Sequence, residues 1–133
     1  MKAAPSPAKV LRGTRARLMG RRQEWVAALW LMLKGYRILG FRLRAPQAEI
    51  DLLAQRGGVL AVVEVKSRAS LDAALEAVGH DQRQRLRRAG RSLAARRPGL
   101  RKLDVRLDLL ALAPGRFPRH IPDAWSEDPV AWT

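Results

Sequence analysis

A Gly57-Gly58 pair set between two apolar runs constrains this chain more than any other feature. Ala48 to Gln55 precede the pair and Val59 to Lys66 follow it, so the segment reads as a tight antiparallel hairpin. With the glycines as the two turn residues, Arg56 faces Val59, Asp51 faces Glu64 and Glu49 faces Lys66. Directly opposed residues share a face, with Cβ atoms about 5 Å apart. Because successive residues alternate, Glu49, Asp51, Glu64 and Lys66 are expected on one side, at the end away from the turn. That face continues with Leu53, Gln55, Leu60 and Val62, while Ile50, Leu52, Ala54, Ala61, Val63 and Val65 form a wholly apolar opposite face. Strands apolar on both sides belong in the middle of a sheet covered above and below. The assignment hangs on a two-residue turn, since a slip of one residue puts the acids on opposite faces.

Two carboxylates so close repel each other, and one takes up a proton unless a cation lies between them. Oxygen-only donors suit Mg²⁺ or Mn²⁺, and the chain has no cysteine that would favour zinc. Asp51 and Glu64 are therefore candidate metal ligands, with Glu24 or Glu49 to complete the set. Lys66 is placed to orient a water and to stabilise charge developing on a phosphodiester. The competing reading is a solvated sheet end carrying one ordinary ion pair, Glu49 with Lys66. Other chemistries have little support. His80 and His120 have no nucleophile motif nearby, His80 reads as a turn residue, and neither a P-loop nor a Gly-x-Gly-x-x-Gly pattern occurs.

Charge points to the class of partner. Twenty-six basic residues against 12 acidic ones leave +14 on 133 residues, a surface that attracts polyanions. DNA is the first candidate, with RNA left open. The longest apolar run, Trp25 to Leu33, has nine residues, far short of the roughly 20 that cross a bilayer. The opening MKAAPSPAKVLRGTRAR does not read as a secretory signal, so a cytoplasmic protein without a membrane partner is expected.

The length suits one domain. Residues 1–18, rich in Pro, Ala and Arg and free of acids, read as a flexible basic arm; residues 19–125 form the domain and 126–133 a C-terminal tail. Gly20 to Lys34 reads as a helix ended by Gly35, with Glu24 sharing a face with Ala27, Ala28 and Leu31. That places Glu24 either at the site or simply at a helix N-terminus, where an acid suits the dipole. The same helix is apolar almost all round, so Trp25–Leu33 is either deeply buried or a surface for a homodimer. Tyr36 to Arg44 reads as a first strand, and Ser70 as the cap of a short helix through Val78. A longer helix over Asp81–Arg97 turns Leu86, Ala89, Gly90, Leu93 and Ala94 toward the sheet. Arg83, Arg85, Arg87, Arg88 and Arg91 on its remaining faces, all of one sign, suit phosphate. Leu103–Leu112 alternates as a last strand, and the Pro-rich end carries Trp125 and Trp132 as anchors.

Asp51, followed after twelve intervening residues by Glu64-Val65-Lys66, resembles the PD-(D/E)xK nuclease motif. The wider pattern is more specific. Gly20-x-x-x-Glu24-x-x-Ala27, Gly35-Tyr36-x-Ile38-Leu39, Glu49-Ile50-Asp51-Leu52-Leu53-Ala54 and Val63-Glu64-Val65-Lys66-Ser67-Arg68 together resemble the YraN-type family of small bacterial proteins. The likeness continues through Arg85-Leu86-Arg87 and Arg106-Leu107-Asp108 to His120-Ile121-Pro122-Asp123-Ala124. It implies an α/β, restriction-endonuclease-like αβββαβ core akin to Holliday junction resolvases, with a mixed four-stranded sheet flanked by helices. It also implies catalytic roles for Glu24, Asp51, Glu64 and Lys66. The chain departs from the family pattern at Ala48 and Gln23, where glycine is usual, at Arg42 in place of Asn, and at Gln82 in place of Lys. Three readings follow: a metal-dependent endonuclease acting on DNA, branched or otherwise structured DNA included; a non-catalytic nucleic-acid-binding module; and an assembly subunit.

Overall fold

The computed structural model describes residues 22–128. The basic arm over 1–18, the Gly20 start of the first helix and Trp132 lie outside them. A helix α1 over 22–33 leads into β1 (Arg37–Arg44), β2 (Glu49–Arg56) and β3 (Val59–Ser67). Two helices follow, α2 (Leu71–Glu76) and α3 (His80–Arg96), then a 3-10 turn (Pro98–Leu100), β4 (Asp104–Leu112) and β5 (Arg119–Ile121). The sheet runs β1-β2-β3-β4-β5, antiparallel except for the parallel β3–β4 pair. α2 and α3 make the crossover that a parallel pair requires.

Local chemistry accounts for the boundaries. Tyr36 N–H donates to the Leu31 carbonyl and Gly35 N–H to that of Met32, both at 3.0 Å, a Schellman ending with Gly35 at φ +91°. Ser70 Oγ accepts from Ala73 N–H at 3.1 Å and so caps α2. Gly57 takes φ +56° at the first central position of the hairpin, as in a type II′ turn. Arg56 pairs with Val59 and the expected register holds through Leu52 and Val63.

Two apolar layers sandwich the sheet. α1 sets Ala27, Ala28 and Leu31 against Leu52, Ala54, Ala61, Val63 and Leu110. α3 sets Leu86, Ala89, Leu93 and Ala94 against Leu53, Leu60, Val62 and Leu107. At Gly90 the helix comes so close that an added Cβ would lie 2.5 Å from a Val62 methyl.

Two expectations are corrected. The sheet has five strands, not four: residues 119–121 pair with 109–111. Three residues between Pro118 and Pro122 are too short to show any periodicity. Ile50 also leaves its expected face and packs with Leu53, Leu60 and Val62 on the α3 side. Its partner Leu43 does the same, whereas Phe41 and its partner Leu52 stay on the α1 side. The flip is centred on Arg42, a non-glycine residue at φ +48°, where strict alternation in β1 fails and β2 follows it.

Candidate active site

The departure from regular pleating coincides with the charged residues. Among the hydrogen-bonded partners of β2 and β3 the ladder ends at Leu52 and Val63. One residue further on, the Asp51 side chain takes over: its Oδ2 accepts from the Val65 N–H at 3.0 Å. Asp51 is thereby fixed against β3, next to Glu64. Glu64 is almost wholly buried, and Lys66 Nζ lies 3.8 Å from its Oε2. Burial first and the neighbouring Asp51 second push the Glu64 carboxyl up to about 8, and Lys66 only partly opposes them. The hairpin end therefore holds two adjacent carboxylates, Glu64 buried and Asp51 half-buried, with less positive charge than full ionisation requires. A divalent cation with oxygen ligands would supply that charge, so the donor set of Asp51 and Glu64 fits Mg²⁺ or Mn²⁺.

The other two acids each have an arginine partner. Glu24 projects from α1 on the face of Ala27, Ala28 and Leu31, and it is buried as they are. Its Oε1 accepts from Arg42 Nε at 2.7 Å. Glu49, rather than facing Lys66, lies 3.6 Å from Arg44 on β1. Among the described residues no three Asp, Glu or His side chains converge closely enough to hold an ion. Arg42 is the residue that sequence reasoning undervalued. The hydrogen bond that it donates to Glu24 raises its pKa, and the charges of Glu49 and Asp51 add to the effect. Its departure from the expected Asn was a signal, but its bond to Glu24 is a tertiary contact that no local pattern encodes.

The basic helix divides into two sets. Arg83 and Arg87 point inward, where both bind Asp128: Arg83 donates through Nε and Nη2 at 2.7 and 2.8 Å, Arg87 through Nη1 at 2.9 Å. These bonds hold the Asp128 carboxyl well below the usual carboxylate range. Trp125 anchors the same segment, its Nε1–H donating to the Leu75 carbonyl at 3.3 Å and its ring lying under the Arg83 guanidinium. Arg85 and Arg88 are exposed, and Arg91 is half-buried. His80, expected in a turn, opens α3, with Nδ1 3.9 Å from Asp128.

A second polar cluster lies on β4. Arg106 grips the fully buried Asp108 with two bonds of 2.7 and 2.8 Å and donates a third, at 2.6 Å, to the Tyr36 hydroxyl. His120 Nε2 meets Asp108 at 2.8 Å, and its Nδ1 meets Lys34. An ammonium has only donors, so Nδ1 accepts and Nε2–H donates to the carboxylate. The Asp123 N–H completes the set at 3.0 Å. Burial alone would raise the Asp108 pKa; the bonds from Arg106, His120 and Asp123 outweigh it and lower it. This network ties the end of α1 to β4, β5 and the chain beyond, which gives Arg106, Asp108 and His120 a structural role in this fold.

Comparison with known proteins supplies the lineage. The model of the uncharacterised protein family UPF0102 matches residues 23–112, a span that includes Glu24, Asp51, Glu64 and Lys66. A UPF0102 protein of Caulobacter sp. (strain K31) is 72% identical over 117 residues, covering 88% of this chain and 84% of the relative. One from Caulobacter vibrioides (strain NA1000 / CB15N) is 70% identical over 114 residues, covering 86% and 91%. A further one, from Paramagnetospirillum magneticum (strain ATCC 700264 / AMB-1), is 50% identical over 117 residues, covering 85% and 91%. Among the described residues no helix is long and apolar enough to cross a membrane. The chain belongs to the UPF0102 family.

Proposed function

We propose that this protein is a divalent-metal-dependent endonuclease that hydrolyses phosphodiester bonds in DNA, with a restriction-endonuclease-like core. The observation that carries the reading is the buried Glu64 carboxyl with half-buried Asp51 and Lys66 beside it, at the hairpin end of a chain with net charge +14. A bound Mg²⁺ or Mn²⁺ would supply Lewis acidity, polarising the scissile phosphate and offsetting the charge that builds on it. Asp51, held by the Val65 N–H, and Glu64, held by burial, are the groups that would bind the ion. Lys66, tethered near Glu64, orients the attacking water and stabilises negative charge on the phosphate oxygens. The exposed Arg85 and Arg88 supply long-range attraction for the DNA backbone.

One observation favours a second reading. Arg42 already neutralises Glu24, which would otherwise be free to widen the ligand set, and a protein that binds DNA without cutting it would tolerate that ion pair. Cleavage of labelled single-stranded, duplex, flap and four-way-junction DNA in Mg²⁺, Mn²⁺ or EDTA separates the two. The nuclease reading expects metal-dependent cutting that disappears in Asp51→Ala and Lys66→Met, with Lys66→Met still binding metal. Binding without cutting in every metal would leave the non-catalytic module.

A further inference from the structure

The geometry points to a base-stacking subsite formed by Trp25 and Phe41 beside the carboxylates, which takes one unpaired nucleotide of a DNA strand. The inference deepens the nucleic-acid reading above and rests on it. Trp25, on α1, lies one residue from Glu24; Phe41, on β1, lies one residue from Arg42 and pairs with Leu52, the neighbour of Asp51. The two rings meet with centroids 5.2 Å apart and planes tilted by 43°. Trp25 is nevertheless 55% exposed, so the contact with Phe41 leaves over half of it open to solvent. An open cavity of about 360 Å³ lies here, lined among the described residues by Glu24, Trp25, Phe41 and Arg42. That volume is in the range of small-ligand sites, roughly 300–1,000 Å³.

The cavity combines what an unpaired nucleotide needs. An indole face stacks on any base, because every base has a π surface. Arg42 donates its Nε–H to Glu24, and no other hydrogen bond of Arg42 occurs among the described residues, so both terminal amino groups remain as donors for a phosphate or a base edge. Glu24 holds the guanidinium in position while doing so. A base inside a duplex presents no open face, so the subsite discriminates by secondary structure instead of by sequence. The substrate class is DNA with an unpaired nucleotide close to the cut: a flap, a fork or an opened junction.

The exposed Val26, Leu29, Met32 and Leu33 on the same helix raise the rival occupant, a second copy of the chain. The test therefore uses Trp25→Leu, which keeps apolar bulk and loses the π face, and Trp25→Phe, which restores a ring. Binding of fluorescein-labelled single-stranded, forked and blunt duplex DNA is followed by anisotropy in EDTA, where nothing is cut. Trp25→Leu should weaken forked and single-stranded DNA about tenfold, the effect of losing one base stack, and leave blunt duplex unchanged. Trp25→Phe should recover most of the loss. A 2-aminopurine at the unpaired fork position should be quenched by the wild type and not by Trp25→Leu. Equal losses on all three DNAs, no loss on any, or a change in oligomeric mass in place of a change in selectivity would each overturn the subsite. The readout needs no catalysis, so an absence of cleavage defeats only the nuclease reading, and preserved cleavage with unaltered selectivity defeats only the stacking subsite.

Discussion

Glu64→Gln removes a carboxylate whose ionisation the fold opposes, and the consequence for stability can be worked through. The folded chain holds the Glu64 proton until about pH 8, while an unperturbed carboxyl releases it near 4.5. A folded pKa above the unfolded one means that the native state binds more protons between these limits, so stability falls as pH rises through the window. The contribution of the Glu64 proton is fully present below pH 4.5 and fully lost above about pH 8. At about 1.4 kcal/mol per unit, the wild type forfeits on the order of 3 kcal/mol by pH 7. Gln keeps the shape without the titration. Urea unfolding of both proteins in EDTA at intervals from pH 5 to 8 measures the difference directly, because Asp108, Asp128 and every other titrating group are common to the pair. Glu64→Gln should match the wild type near pH 5 and exceed it increasingly toward pH 8. Adding Mn²⁺ should then narrow the gap, since only the wild type offers both carboxylates. Parallel stability curves across the range would refute the claim that Glu64 is buried against Asp51 without sufficient positive charge.

Other perturbations follow from the same geometry. Arg42→Asn puts a residue that accepts φ +48° readily at the kink and releases Glu24, so Mn²⁺ affinity by calorimetry should rise about tenfold, or about 1.4 kcal/mol; unchanged affinity would mean that Glu24 lies out of reach of the ion. Asp128→Asn frees Arg83 and Arg87, and the slope of log affinity against log salt for duplex DNA should steepen by about 1–2. An unaltered slope would show that these arginines never meet phosphate. Gly90→Ala drives a Cβ into Val62 and should cost about 1–3 kcal/mol in urea unfolding, with Val62→Ala giving part of it back; a neutral substitution would mean that α3 lifts off the sheet freely.

Much of this arrangement was legible in the residues alone, and the reason is local. The Gly57-Gly58 turn sets a register that pins every partner from Arg56–Val59 to Leu52–Val63, so the approach of Asp51 to Glu64 is encoded within one hairpin. The buried stripe of α3, the Ser70 cap and the Gly35 stop are likewise short-range signals. What escaped reading depends on contacts between distant segments. Strict alternation placed Ile50 with Leu52, but the positive φ at Arg42 reverses the faces of two strands at once, and nothing about an arginine in a strand announces such a conformation. The same residue then pairs with Glu24, a candidate for the metal set. Arg83 and Arg87 looked like their exposed neighbours until Asp128, some forty residues away, bound them. Charge spacing along a helix says which residues share a face and not which partner that face meets.

The lone parallel pairing, β3 with β4, has a consequence for how the chain is made. The hairpin that aligns Asp51 with Glu64 can close as soon as its own residues leave the ribosome. Its outer strand, however, keeps an open edge of Val59-Leu60-Ala61-Val62-Val63 until α2 and α3 have been synthesised and β4 arrives. An apolar edge that waits for a distant partner is a template for pairing with a neighbouring nascent chain. The arginines of α3, emerging during that interval, give every waiting chain the same charge. Like charge on every waiting chain opposes such pairing, so the charge on α3 bears on folding as well as on the surface of the finished domain.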